Sequence, residues 1–256
     1  MEDSFRKLYS VDPEKIVEGI KEIKSKCPTL SEEEIPAVVD ALSSLFYVDP
    51  FDNPEMTKVI DDVQQLIADI GPRAIPTILE KIHNTDIKAE LAFARTCGLM
   101  GKEAIEPLLD VVIEKSDTID MSFALYAFGK IKSPEIVKAL PHVLKAVKSP
   151  MKESEDTAVR AMGKIFENIK PGDVSDEDLQ EVFDVFLAKT YHSNEVIRSK
   201  SIRGLNKMLQ FGFIRKGDKP AILNRAKAAL GLEDSEDWDP SYLVRREAQQ
   251  VLDKHQ

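Results

Sequence analysis

The chain has 256 residues, 43% apolar and only 7% aromatic, with 35 Lys+Arg against 45 Asp+Glu and a net charge of −10. That apolar share supports a packed core, while no stretch reaches the roughly 20 apolar residues that a membrane helix needs. The opening Met1-Glu2-Asp3-Ser4-Phe5-Arg6 lacks the basic start and apolar run of a signal peptide, and Cys27 and Cys97 form neither a disulfide framework nor a zinc motif, so a cytoplasmic protein is expected.

In chain order, residues 13–26 read as a helix covering the first of six helical pairs. Ser31-Glu32-Glu33-Glu34 has the spacing of a capping box. The first pair, 32–70, carries Pro36 early and ends on Val63, Leu66, Ile67 and Ile70 around Ala68. The second, 72–100, has Pro76, then Phe93, Thr96, Cys97 and Met100 around Gly98. The third, 102–131, has Pro107, then Ala124, Ala127, Phe128 and Ile131 around Gly129. The fourth, 134–169, has Pro141, then Ala158, Ala161, Met162 and Ile165 around Gly163. The fifth, 175–211, lacks the proline but keeps Leu179, Val182, Phe183, Phe186 and Leu187 in register, then Ser201, Gly204, Leu205 and Met208 around Asn206. The sixth, 218–254, has Pro220, then Ala248, Val251 and Leu252 before Asp253.

Offsets of three, four and seven place each set on one helical stripe, and its small residues admit a neighbouring helix closely. The recurring proline starts or kinks each first helix. Polar breakers at 48–54, 170–173 and 233–237 separate segments, and nothing reads as strand. Paired helices repeating every 30 to 47 residues are an all-α solenoid.

Val244-Arg245-x-x-Ala248-x-x-Val251-Leu252 and Ile197-Arg198-x-x-Ser201-x-x-Gly204-Leu205 resemble the second-helix signature of HEAT (armadillo-type) repeats. The first-helix prolines and Leu99-Met100-Gly101 resemble it too, and the spacing of the middle pairs is similar to the short HEAT-like repeats of phycobilin lyases. The resemblance runs from residue 32 to 254. It implies a single domain over 1–256, a right-handed α-solenoid of about six HEAT-like hairpins plus the capping helix. It also implies second helices lining an inner, concave surface, with Arg198 and Arg245 pairing with acids of neighbouring units.

On that register the inner positions are Asp62, Gln65 and Asp69; Ala92, Arg95 and Leu99; Phe123, Tyr126 and Lys130. Then come Thr157, Arg160 and Lys164; Lys200, Arg203 and Lys207; Glu247, Gln250 and Lys254. Residues 1–70 hold 16 acids and 7 bases, whereas 196–227 hold nine Lys/Arg and one acid, Asp218, so the strip passes from acidic through aromatic to basic. The expected partner-binding residues are Arg95, Phe123, Tyr126, Lys130, Arg160, Lys164, Lys200, Arg203 and Lys207. Arginine forks suit carboxylates and phosphates. Phe123 and Tyr126 either anchor an apolar or planar group or pack against the adjacent hairpin.

No constellation points to catalysis, metal or a cofactor. His83, His142, His192 and His255 lie beyond helical reach of one another, and none precedes a glutamate as in the HEAT-like deoxyhypusine hydroxylases. Cys97 sits at a core offset, and Cys27 precedes Pro28 at a helix end. The five carboxylates between Glu233 and Asp239 lack the glycine and closing glutamate of an EF-hand loop, and Asp239-Pro240 reads as a helix cap. Trp238 either anchors a partner or folds back on the last hairpin; Phe46, Tyr47 and Phe51 either form a contact cluster or cap the first. The expectation is a non-enzymatic scaffold or adaptor that binds a protein or an extended acidic or phosphorylated peptide through its concave face. One alternative is a nucleic-acid binder resembling the HEAT-like alkylpurine DNA glycosylases, although a catalytic carboxylate beside Phe123 and Tyr126 is missing. Another is a phycobilin-lyase-like chaperone.

Overall fold

A computed structural model of the chain describes residues 2–115, 118–148, 152–232 and 238–255, and every regular element among them is helical. The chain forms two compact units, Met1–Val111 and Val112–Gln256. Among the described residues, no helix is long and apolar enough to cross a membrane. The acidic run 233–237 lies outside the described residues.

The first unit contains α1 (Glu2–Leu8), α2 (Pro13–Lys26), α3 (Ile35–Ser43), α4 (Met56–Ile70), α5 (Ile75–Ile82) and α6 (Ile87–Met100), and begins α7 (Ile105–Glu114). Asp12 starts α2 by accepting from the Glu14 N–H at 3.0 Å, and Asp86 starts α6 by accepting from the Ala89 N–H at 2.8 Å. Pro36 and Pro76 fall in the first turns of α3 and α5, where the missing N–H costs nothing, so they start these helices and do not kink them. The turns Gly71–Ala74 and Gly101–Ala104 lead into α5 and α7. Gly71 and Gly101 take φ of +78° and +65° there, so the chain reverses where a side chain would be strained.

Val63, Leu66, Ile67 and Ile70 of α4 and Phe93, Thr96, Cys97 and Met100 of α6 are all buried as the two helices pack together. Each large apolar side chain removed from water contributes about 1.5–3 kcal/mol. Phe46 is buried edge-on against Phe93, with ring centroids 5.1 Å apart, and so belongs to the core, while Tyr47 and Phe51 remain exposed.

Two local features depart from the sequence expectation. Glu34 does accept from the Ser31 N–H (2.9 Å) and hydroxyl (3.1 Å), but α3 starts only at Ile35. A helix from Glu32 would need an N–H at position 36 to bond the Glu32 carbonyl, and Pro36 has none. Helix α1 is too short for periodicity to reveal. It packs on α2 at Gly19, where a Cβ would stand 2.9 Å from the Ser4 carbonyl oxygen. Ser4 donates to Glu22 at 2.8 Å, and Lys7 pairs with Glu22 and, at 2.8 Å, with Glu18.

The second unit contains α8 (Ile119–Phe128), α9 (Leu140–Ala146), α10 (Lys152–Ile165), α11 (Asp176–Lys189), α12 (Glu195–Gln210), α13 (Lys219–Ala229) and α14 (Tyr242–His255). Thr118, Ser175 and Asn194 cap α8, α11 and α12 through their side-chain oxygens. Helices α8, α10, α12 and α14 stack side by side in that order, and α9, α11 and α13 each back onto the helix that follows. The small-residue stripes are buried at these contacts, from Ala158 and Ala161 to Ser201, Gly204 and Ala248. At the α10–α12 crossing the backbones nearly touch. A Cβ on Gly163 would lie 3.3 Å from the Gly204 Cα, and one on Gly204 would lie 2.4 Å from the Phe186 ring.

Candidate functional site

The α10–α12 crossing builds a hollow of about 390 Å3 in the second unit. Gly163 and Gly204 contribute no side chain to it, so its walls are the flanking turns: Val159, Arg160 and Lys164 from α10, and Lys200, Arg203 and Lys207 from α12. All five charged lining residues are cations. Other hollows mix their charges. One between α3 and α5 sets Asp40 and Glu80 beside Lys81, and one near Phe183 and Phe213 sets Asp176 and Asp218 beside Arg215.

Three acids standing outside the lining hold four of these cations in place. Asp156 places both carboxylate oxygens 2.6 Å from the Lys200 ammonium. Glu167 pairs with Lys164 at 2.9 Å and Lys207 at 2.8 Å. Glu247, 2% exposed, takes both ends of the Arg203 guanidinium, at 2.6 and 3.0 Å. Burial pushes the Glu247 and Glu167 carboxyls up, but Arg203 and Arg246 at the first and Lys207 and Lys164 at the second outweigh it, leaving both below the usual carboxylate range. Lys207 ends on the other side. Its own burial pulls the ammonium below the usual lysine value more than Glu167 raises it, with Lys164 and Arg203 pressing the same way.

Beside the hollow, Arg160 lies 4.4 Å over the centroid of the half-buried Tyr126 ring, with Lys130 at 5.1 Å. Burial raises the Tyr126 hydroxyl, but Arg160 and Lys130 together bring it below the ordinary tyrosine value. Gly129 allows α8 to approach Lys164, whose Cγ would lie 3.6 Å from a Cβ there. Tyr126 of α8 and Lys130 just beyond it thus adjoin Arg160, one of the five cations that line the hollow with Lys164, Lys200, Arg203 and Lys207.

The other two expected site residues are Phe123 and Arg95. Phe123 is fully buried, so it is not a wall residue. Helix α8 is apolar nearly all round, with Met121, Phe123, Ala124, Leu125, Ala127 and Phe128 buried together, so a single stripe does not describe it. Arg95 is exposed on α6, in the first unit. Ala92 and Glu247, also at inner register positions, are buried. The register missed that the basic residues are paired across repeats. Lys200–Asp156 and Arg203–Glu247 are each 44 residues apart, about one repeat length in this part of the chain, and that spacing was the available signal.

The two signature arginines serve the loop before α14. Arg198 forks onto Asp239 at 2.7 and 3.0 Å and donates to the His192 and Ser193 carbonyls at 2.8 and 3.0 Å. Arg245 donates to the Asp239 carbonyl at 2.7 Å and lies 4.8 Å over the Trp238 ring, which itself packs onto Gly231. Trp238 therefore folds back on the last hairpin, although about half of it remains exposed. Cys97 is wholly buried, and desolvation pushes its thiol up to about 12, far from a reactive thiolate.

No protein-family model matches the chain, and no curated protein sequence does. Solved structures do. A chain of the CpcE–CpcF complex of phycocyanin lyase from Nostoc sp. PCC7120 superposes with a TM-score of 0.54 at 17% identity, covering 70% of this chain and 98% of that one. A designed armadillo repeat protein in complex with the peptide (KR)4 superposes with a TM-score of 0.44 at 16% identity, covering 98% and 97%. A second designed armadillo repeat protein gives 0.45 at 15% identity, covering 98% of each chain. With helices alone among the described residues, stacked second helix on second helix, and with this likeness to the phycocyanin lyase chain, the protein has a HEAT/armadillo-like helical-repeat fold, an α-solenoid.

Proposed function

We propose that the protein is a repeat scaffold that binds a protein partner through an acidic or phosphorylated segment laid across α8, α10 and α12. The observation that carries this reading is the lining of the α10–α12 hollow, whose five charged residues are all cations while the acids that pair with four of them stand outside it. Cations already held by Asp156, Glu167 and Glu247 lose less rotamer freedom when an anion arrives than free side chains would. The positive face also speeds encounter with acidic partners and disfavours basic ones. The glycosylase-like alternative asks for two accessible aromatics, and the burial of Phe123 leaves only Tyr126. Likeness to a chain of the phycocyanin lyase complex supports a second reading, service to a chromoprotein in company with another chain; an absorbance shift on mixing with a free bilin would favour it.

The decisive variant must spare the folded state. Arg203→Glu would strand the buried Glu247, so it is a poor choice. Among the described residues, Lys130 and Arg160 contact Tyr126 and pair with no carboxylate, which makes Lys130→Glu/Arg160→Glu the better pair. Against a fluorescent library of acidic and phosphorylated peptides, the wild type is expected to bind with steep salt dependence, and the double variant at least tenfold more weakly. Equal binding by both proteins removes this face from the function.

A further inference from the structure

We infer that the hollow over Gly163 and Gly204 is a phosphoryl site, taking a compact dianion in preference to a carboxylate. This rests on the reading above and narrows its ligand. Three carboxylates, Asp156, Glu167 and Glu247, face five lining cations, so two positive charges stay unmatched. Arg246, also 2.9 Å from Glu247, increases this surplus. A carboxylate brings one negative charge. A phosphate monoester near neutral pH brings about 1.5 to 2, with three acceptor oxygens, and so offsets more of the surplus than a carboxylate does.

Geometry favours the same ligand. Arg160 and Lys164 stand one turn apart on α10, while Lys200, Arg203 and Lys207 rise over successive turns of α12, so cationic side chains border one hollow from two sides. A row of acidic side chains calls for cations in a line; a tetrahedral group calls for donors around a centre. The paired glycines let the two helices close on each other beneath the hollow, and about 390 Å3 holds a phosphoryl group together with the end of the side chain that carries it. Lys207 supports this independently. Its ammonium is held below the usual lysine value by burial, so an incoming dianion would relieve that cost.

The ligand chemistry has two sources, a phosphorylated segment of a partner or a free phosphate compound, and the test separates them. Inorganic phosphate and acetate are titrated at fixed ionic strength and pH 7.5, read by melting temperature and by the 31P line width of the phosphate. In parallel, one acidic peptide is measured with phosphoserine and with glutamate at the same position. Phosphate is expected to raise the melting temperature and to broaden where acetate has no effect, and the phosphopeptide to bind at least tenfold more tightly than its glutamate twin. Lys207→Met should erase most of that tenfold preference, weakening the phosphopeptide several-fold more than its glutamate twin; Lys200→Met is the second variant should the first lower the melting temperature.

Equal affinity for the two peptides, or equal response to acetate and phosphate, overturns the phosphoryl assignment. If acidic peptides still bind and Lys130→Glu/Arg160→Glu abolishes it, the scaffold reading survives that loss. Phosphate broadening with no peptide bound keeps the phosphoryl site, assigns it to a free phosphate compound, and ends the scaffold reading.

Discussion

Arg203 on α12 grips Glu247 on α14 with both ends of its guanidinium, although the glutamate is almost wholly removed from water and the arginine keeps one side exposed. The pair joins neighbouring repeats and fixes an arginine that also lines the hollow. Breaking a buried pair on one side leaves an uncompensated charge, which costs about 3–5 kcal/mol in full burial. With the guanidinium partly hydrated and Arg246 close by, Arg203→Met is expected to cost about 1–3 kcal/mol. Urea denaturation of Arg203→Met, Glu247→Met and the double variant checks this; the double variant should recover part of the loss.

The α10–α12 crossing leads to a second prediction. Gly204→Ala would gain about 1 kcal/mol of helix propensity. It would also set a methyl 2.4 Å from the Phe186 ring, inside any permitted contact. Overpacking of this kind costs about 1–3 kcal/mol or more, so the net effect is destabilising. Phe186→Leu in the same chain should restore part of the loss, which thermal melts of the single and double variants would measure.

Stability should fall in acid, and the sign follows from three carboxyls. Asp239, Glu167 and Glu247 all titrate lower in the folded chain than their ordinary values, because Arg198, the Lys207–Lys164 pair and the Arg203–Arg246 pair outweigh burial. The unfolded chain therefore binds more protons over that window. Their contribution is complete above the unfolded values, about pH 4, and is lost as pH falls through the folded ones. Urea midpoints from pH 6 to 2.5 should drop below about pH 4, with a shallower drop in Asp239→Asn.

The two thiols should differ in reactivity. Cys97 is fully buried with its thiol pushed up to about 12, while Cys27 is slightly exposed and raised less strongly by its burial and by Asp69. Labelling with a thiol reagent at pH 8 is expected to modify Cys27 slowly and Cys97 only at the rate of unfolding, with both reacting at once in urea. Fast native labelling of Cys97 would contradict its place in the core.

The repeat was legible because burial in a stacked helix imposes a rule on each chain segment. Ala158, Ala161, Met162 and Ile165 had to be small or apolar wherever they met a neighbour, and the spacing of such sets shows without any long-range information. The prolines were legible for a similar local reason, a missing donor tolerated only in a first turn. Helix α1 was not, since seven largely polar residues held to α2 by Lys7 and Ser4 leave no periodic trace. The burial of Phe123 was legible only as one of two readings, because an inner register position says which way a side chain points and not what else packs there.

By itself the amino-acid order determined the helical pairs, their phase, and the gathering of basic residues on the second helices of the later repeats, since each follows from spacing along one helix. Only the tertiary structure decided which cations are held by Asp156, Glu167 and Glu247, and that the charged residues lining the hollow between α10 and α12 are all cations. Charge pairing depends on distance in space, and partners roughly a repeat apart, such as Asp156 and Lys200, meet only once neighbouring helices stack, as α10 and α12 do where Gly163 meets Gly204.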